Sequence, residues 1–590
     1  MSIMPLRAQT GTKFDIDGIT YTAFTDSTVA VSSDWLEYLL DDTVVIPEWV
    51  FHEGSRFRVT RLATNAFYAQ TAVREFVLPT SIHTLPENCF YECRFQYITL
   101  PSELDSIMDG ALEVESLKDV YIPASVKYIH PQALFGTMAL TDIEVDSNNL
   151  MYRSIEGALY SIDSTLLLVY PPGKENAFFT VPEGVTRLGF SAFMQNPFLQ
   201  TVDLPESLNE IGEQAFIKCT SLTDIRLPRH ARLVSNAFAW CPALRNIEID
   251  SANPYIRFLP SDTAIVSMNG DTLFYKVMNC PTITVPEGVR YVAPYALAYN
   301  FASQWMIIRE GVEEIADHGC YNSNARVSLP HSLRKIGERA FSWSGMTSVS
   351  MQEGVQEIGE DAFSYCFHLG GIVLPSSLKT ISRGAFAVCS QMRTLAMGDS
   401  VEFVGDSAFI HCRELRNTDS LTFPPTLHYL GTSAFENTRI TAVKFTGPID
   451  TVGARAFAVG GDKLASLTLN QQQPPIIGED PFEFASEYTI FIPCGSLSNY
   501  LDAPVWDGYR NYEEDCDGVE PIDGEAVTVR GGAGHVMVAG AAGQRVEVYN
   551  VTGVRVTAGT ATADPQAFRV PAAGIYLVRV ADLTYRAAVR

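Results

Sequence analysis

The fold class predicted from the sequence is mainly β: a leucine-rich-repeat solenoid with a parallel β-sheet, an N-terminal β-hairpin cap and a C-terminal antiparallel β-sandwich. Three observations predict it. First, Leu204 to Pro228, LPESLNEIGEQAFIKCTSLTDIRLP, begins and ends on Leu-Pro, 23 residues apart. Its apolar positions (Leu208, Ile211, Ala215, Phe216, Cys219, Leu222, Ile225) fit neither a helix nor a plain strand, and the unit recurs along most of the chain. Leu at fixed offsets in units of 20–29 residues marks a coil that stacks on copies of itself. Second, each unit carries a short alternating run before its Pro, such as LTDIRLP, LKDVYIP or ARVSLP. Third, composition changes near residue 526 to short runs separated by Gly.

The elements follow in order. Residues 1–8 fit either the remnant of an export signal or an ordinary start. Residues 9–50 hold FDIDGITYTAF, TVAVSS and DDTVVIP, which read as hairpins closing the first open coil. Residues 51–510 form the solenoid. The second residue of an Ala-Phe pair or its variant recurs at Phe67, Phe90, Leu112, Leu134, Phe193, Phe216, Phe238, Leu297, Cys320, Phe341, Phe363, Phe386, Phe409, Phe435 and Phe457. Most intervals are 21 to 23 residues, and two are 59. The two long units share IEVDSNN and IEIDSAN phrases 104 residues apart, which indicates a duplicated block. Each is expected to carry an extra hairpin, EGALYSIDSTLLLVY in the first and TAIVSMNGDTLFYKV in the second.

Within a repeat, Ile225 and Leu227 point to one side of the strand and Asp224 and Arg226 to the other. Stacking at about 4.8 Å per coil gives a long parallel sheet. The Pro ends the strand because it cannot donate to the ladder. Gly after Ile, as at Gly212, Gly337 and Gly359, is expected to permit a tight corner. Cys93, Cys219, Cys241, Cys366, Cys389 and Cys412 share one repeat position and are expected to pack as small buried hydrophobes.

At the far end, Tyr500, Trp506 and Tyr509 are candidates to close the apolar interior. Residues 511–525, NYEEDCDGVEPIDGE, contain seven acids and read as a linker. They lack the Gly and ligand spacing of a calcium loop, so a solvated charge run is the reading. Residues 526–590 carry seven Arg, no Lys and three acids, and form the C-terminal β-sandwich. Cys494 and Cys516 flank the last coil outside the repeat position and are the disulfide candidate.

The formal charge of −26 argues against nucleic acid and anionic membrane as partners. No window holds 18 uninterrupted apolar residues, so no transmembrane helix is expected. HExxH, GxSxG and P-loop motifs are missing, and Cys89-x3-Cys93 lacks a partner pair at zinc spacing. Carboxylates are plentiful, but no motif singles out a catalytic pair; a hydrolase ranks last. The chain is read as a non-enzyme without metal or cofactor.

Binding is read from shape. A stacked sheet displays its outward side chains at regular spacing. The candidate binding residues are Asp119, Tyr121, Asp142, Glu144, Asp203, Asp224, Arg226 and Glu248, an acidic half followed by a more neutral one at Ser328, Ser350, Val373, Thr422, Lys444 and Thr468. No aromatic stripe is read on this face. The alternative is a passive coat or spacer that supplies length alone. Asp-Ser/Thr pairs followed by an apolar residue or Thr recur, with Ser164 and Thr272 expected to be exposed near hairpin tips.

The FDIDGITY start, the phrase VTRLATNAF and the LP…L..IG..AF..C.SL..I.LP unit resemble the BspA-type leucine-rich-repeat surface proteins of Gram-negative bacteria, over roughly residues 14–510. Gly319-Cys320 in place of Ala-Phe, and the absence of Cys from the Leu297 unit, depart from that pattern. The resemblance implies a secreted or cell-surface binding protein, an adhesin for a host or bacterial protein or glycan. VEVYNVTGVRV, VPAAGIYLVRV and the basic YRAAVR end resemble the C-terminal sorting domain of type IX secretion, which implies export to the outer cell surface. The Asp-Ser/Thr pattern is similar to the O-glycosylation acceptor of this bacterial group.

Overall fold

One repeat has too few apolar side chains to bury a core alone, so its Leu, Ile and Phe positions leave water only when coils stack. The structure, a computed structural model, shows that stacking. It describes residues 10–32, 42–277, 280–417, 420–458, 463–515, and 528–589 apart from 533, 540, 542, 551–553, 563–564, 573 and 581–582. The described residues fall into two compact units, residues 1–492 with 496–513, and residues 493–495 with 514–590.

In the first unit each regular coil contributes two parallel strands, where the sequence suggests one. The expected strand is present, as in Asp224–Leu227 beside Asn246–Ile249, with Ile225 buried and Arg226 exposed. The second is only two residues long, as in Glu210–Ile211 and Arg232–Leu233, too short to show alternation in a sequence. This second ladder is the longer one: nine of its two-residue strands, from Tyr291–Val292 to Ile476–Ile477, follow three insertion strands in one twelve-stranded sheet. The expected strands form shorter sheets of two to five.

The Gly after the second strand answers a need other than a corner. A Cβ on Gly212 would lie 2.7 Å from the carbonyl oxygens of Leu188 and Gly189, and one on Gly359 2.8 Å from the carbonyl carbon of Gly337. The backbones of successive coils approach too closely for a side chain. The left-handed residues lie instead around the Ala-Phe pair and are mostly not Gly: Gln214 (φ 56°) and Lys218 (φ 59°) flank Phe216, and Asp361 and Tyr365 flank Phe363. That conformation costs on the order of 1 kcal/mol each for an L-residue. It is offset by bonds between coils: Phe216 N–H donates to Ala237 O at 2.8 Å and Lys218 N–H to Ala239 O at 2.9 Å.

Inside, the Phe rings form a column. Phe341, Phe363, Phe386 and Phe409 stack at 5.1 Å between neighbours, within 6° of parallel. Three residues later comes the Cys position, which is a donor position as well as an apolar one. The thiols of Cys219, Cys241, Cys366, Cys389 and Cys412 donate to the Phe carbonyls of the preceding coils at 2.9–3.2 Å. Several coils without Cys place a buried polar residue there: Thr137, Asn196 and Thr438 donate to carbonyls, whereas Asn300 Nδ2 and Ser323 Oγ have no partner among the described residues. Burial pushes the Cys219 thiol up to about 12.

Both long units insert the expected hairpin with one further strand ahead of it. Tyr152–Ile155, Ala158–Ser161 and Leu166–Val169 form the first insertion, and Ile256–Leu259, Ala264–Ser267 and Thr272–Lys276 the second. Each is launched by a buried Asn. Asn149 donates to Pro123 O and Val126 O and accepts from the N–H groups of Met151 and Tyr152. Asn253, 104 residues on, does the same with Pro228, Ala231, Tyr255 and Ile256. Ser164 and Thr272 are half-buried rather than exposed, and the Thr272 hydroxyl donates to Asp271.

At the N-terminal end Lys13–Ile16, Ile19–Ala23, Thr28–Val31, Ser55–Leu62 and Trp49–His52 form a five-stranded sheet. Thr43–Val45, between them in sequence, already pairs with Glu75–Val77 of the solenoid. At the other end Trp506, 1% exposed, donates its indole N–H to Pro475 O at 2.9 Å, and Tyr500 its hydroxyl to Gln471 O at 3.0 Å. The apolar end is thereby covered within the first unit. Cys494 is disulfide-bonded, and its candidate partner Cys516 lies outside the described residues, as does most of the acidic stretch 511–525. The second unit has a three-stranded and a four-stranded antiparallel sheet around Val536, Val538, Val546, Val548, Phe568 and Val578.

Candidate binding face

The candidate residues sit on the outward side of the first ladder, where alternation places every second side chain in solvent. They occupy two sheets. Asp119 and Tyr121 stand directly opposite Asp142 and Glu144 in a two-stranded sheet. Asp203, Asp224, Arg226 and Glu248 stand in a four-stranded sheet, with Asp224 beside Asn246 and Arg226 beside Glu248. The first insertion lies between the two sheets in sequence, and the Gly157 carbonyl accepts from Ile143 N–H at 3.0 Å.

Local partners divide these residues. Asp224 accepts from Thr223 Oγ1 and from Asn246 Nδ2 at 2.6 Å, which holds its carboxyl below the usual range. Tyr121 donates to Asp146 at 2.7 Å, and that bond raises the phenol. Arg226 bridges Glu206 at 2.8 Å and Asp250 at 3.5 Å. Asp119 accepts a long bond from Thr141 at 3.3 Å. Asp142, Glu144, Asp203 and Glu248 have no cation within 4.0 Å among the described residues. Beyond that distance two of them have a cation nearby: Asp142 Oδ1 and Lys174 Nζ both border the space that a Cβ on Gly157 would occupy, and Glu248 stands beside Arg226 and acts on its guanidinium.

Aromatic side chains missed in the sequence reading share this face. Tyr97 and Phe178, 53% and 56% exposed, each stand four residues ahead of a coil-ending Pro, the same offset as Asp119 and Asp224. That offset was a usable signal. Trp305, in a coil without the Pro, lies under the Arg326 guanidinium at 5.5 Å. These rings are isolated from one another in the register, so they make no stripe. A row of aromatics does occur on the turn bearing the Ala-Phe pair, where Trp240 stacks on Tyr299 at 5.4 Å and Trp343 on Tyr365 at 4.5 Å.

Among the described residues no group of three or more His, Cys, Asp or Glu is arranged to hold a metal ion. Nor is any helix among them long and apolar enough to cross a membrane. The arrangement offers charge and shape for recognition.

The family model for the BspA-type leucine-rich-repeat region matches residues 55–156, 174–258, 263–344, 319–419 and 393–500. Residues 517–589 match a domain of unknown function, DUF6383. No curated protein matches. Similar solved structures include a leucine-rich cell surface protein from Faecalibacterium prausnitzii, 21% identical, covering 75% of this chain and 96% of that one, with a TM-score of 0.34. A leucine-rich-repeat protein from Bacteroides ovatus is 21% identical over 85% of this chain and 99% of its own, with a TM-score of 0.28. The pneumococcal vaccine antigen PcpA is 17% identical over 84% and 96%, with a TM-score of 0.29. The family model spans most of the chain, and the chain belongs to the BspA-type leucine-rich-repeat family.

Proposed function

We propose that the chain is a secreted or cell-surface binding protein of a Gram-negative bacterium, an adhesin that captures a cationic protein on the acidic half of its strand face. The observation that carries this reading is the excess of outward carboxylates over cations on this face, with Asp142, Glu144, Asp203 and Glu248 lacking an ion-pair partner within 4.0 Å among the described residues. Ordered charge of one sign steers encounter more than it sets affinity. The C-terminal module serves as an export address, since its net charge of +4 opposes the −30 of the rest and the solenoid end is covered without it.

The test is kinetic. The immobilised chain is offered a panel of basic host and bacterial proteins at low and physiological salt. Asp142→Lys with Glu144→Lys is expected to lower the association rate about tenfold at low salt. Equal association rates for the two chains would refute the assignment of this face.

A further inference from the structure

The duplicated blocks differ at the place where each insertion meets the coil before it. In both, the second ladder stops and a new sheet begins with the insertion: Tyr128–Ile129 is the last strand before the first break and Arg232–Leu233 the last before the second. The N–H groups of Arg232 and Val234 point back to Asn209 O and Ile211 O. That of Leu233, between them, therefore faces the break. In the first block the equivalent N–H, on Ile129, is taken by the hydroxyl of Tyr152 at 2.9 Å. In the second block the residue in Tyr152's place, 104 positions on, is Ile256, which has no hydroxyl and a shorter side chain.

A cavity of about 550 Å³ opens at this second break, with an apolar wall of Leu233, Pro254, Ile256, Met268 and Phe274. A second hollow of about 310 Å³ adjoins it, and both share Arg232 and Tyr255. The smaller one is polar, with Arg187, Asn209, Glu210 and His230 in its lining. Arg187, Glu210 and Arg232 stand side by side in consecutive coils. Glu210 pairs with Arg232, and Arg187 has no ion-pair partner among the described residues. Two guanidinium groups around one carboxylate leave a positive surplus, in a chain whose formal charge is −26.

We propose that this groove is a peptide-binding site, and that its occupant is an extended segment with an apolar side chain next to a carboxylate. The open strand edge offers Leu233 N–H to a main-chain carbonyl, as when a peptide adds to a sheet. The apolar chamber takes the hydrophobic side chain, and Arg187 takes the carboxylate in a charge-assisted pair. The site belongs to the second ladder and is independent of the strand face proposed above. The loss of Tyr152's counterpart is what opens it.

The experiment is fluorescence anisotropy on the full chain with a labelled Gly-Ser-Phe-Asp-Ser-Gly peptide. Saturable binding is expected, about tenfold weaker with Asn in place of Asp and undetectable with Ser in place of Phe. Ile256→Tyr, which rebuilds the first block's closure, is expected to abolish binding while the melting temperature holds or rises. Arg187→Gln, on an exposed side chain, is expected to weaken binding about tenfold without touching the core, and keeps the test decisive if Ile256→Tyr misfolds. Lys335→Gln, farther along the same ladder, is the control and should change nothing. Three results would overturn the proposal: no saturable binding up to about 1 mM, binding indifferent to both groove variants, or competition by an acidic oligosaccharide and not by unlabelled peptide.

Discussion

Removing the Asn149 side chain tests how the long units are held open. Asn149 is 2% exposed and uses all four of its hydrogen-bonding sites: two donors to Pro123 O (2.8 Å) and Val126 O (3.0 Å), and the carbonyl accepting from Met151 and Tyr152 N–H (both 2.8 Å). A typical intramolecular hydrogen bond contributes about 1 kcal/mol net, and each buried group left unpaired costs more. Asn149→Ala is therefore expected to cost about 4 kcal/mol in the coils around it. Asn149→Asp keeps the acceptor but aims a carboxylate at two carbonyl oxygens, so it should cost at least as much at pH 7 and recover as the carboxylate is protonated. The assay is urea unfolding with amide hydrogen exchange on Tyr152–Ser161, whose protection should fall first. Asn253→Ala, in the second block, is an internal replicate and should lose a similar amount. A cost below about 1 kcal/mol at both positions would refute the reasoning, because four simultaneous bonds cannot then be what fixes the turn.

Further outcomes follow from individual groups. Burial, then Asp109, raises the half-buried Glu113 carboxyl from 4.5 to about 7. The fold thus holds a proton that the unfolded chain releases, so stability should decline as pH rises from about 4.5 to 7 and level off above. Glu113→Gln should flatten that decline and gain about 1–2 kcal/mol at pH 8, after discounting for solvent screening; an unchanged pH profile would contradict it. In thiol labelling of the native protein, the half-buried Cys280 should react first, whereas the buried Cys219, Cys366, Cys389 and Cys412 should stay protected until denaturant is added; early labelling of Cys389 would break the donor-ladder account. Deleting residues 526–590 should leave the solenoid's melting temperature within a few degrees and trap the protein in the periplasm of its host, as cell fractionation would show. Normal export of the folded, truncated chain would mean the tail is no address.

What was legible in the sequence was whatever repeats with a side chain attached. The Leu-Pro spacing and the Phe column come through because each coil makes the same demand for buried volume, and the same regularity placed Ile225 inside and Arg226 outside. The second ladder was not legible, since a two-residue strand has no period to detect. The Gly signal was read correctly as a requirement and wrongly as a corner, because sequence cannot distinguish the need for positive φ from the need for no Cβ. Likewise Cys at one position suggests packing alone, whereas its thiol also donates to a Phe carbonyl, and Asn196 and Thr438 in the same place donate to other carbonyls. The groove at Ile256 depends on comparing two copies and on knowing which N–H the edge leaves facing the break.

The bonds that join coils all run from one coil to the next, as from Phe216 N–H to Ala237 O and from Gly189 N–H to Leu167 O. Tension applied between the two ends of the stack would therefore pull along those bonds and not across them. Each coil would let go of its neighbour separately, and the released segment, 21 to 23 residues in most cases, would lengthen the tether before the next coil took the load. At about 3.4 Å per extended residue one coil would pay out on the order of 70 Å. A protein built this way and held between a cell and its target would yield in small increments under shear and rewind from its intact end when the strain passes.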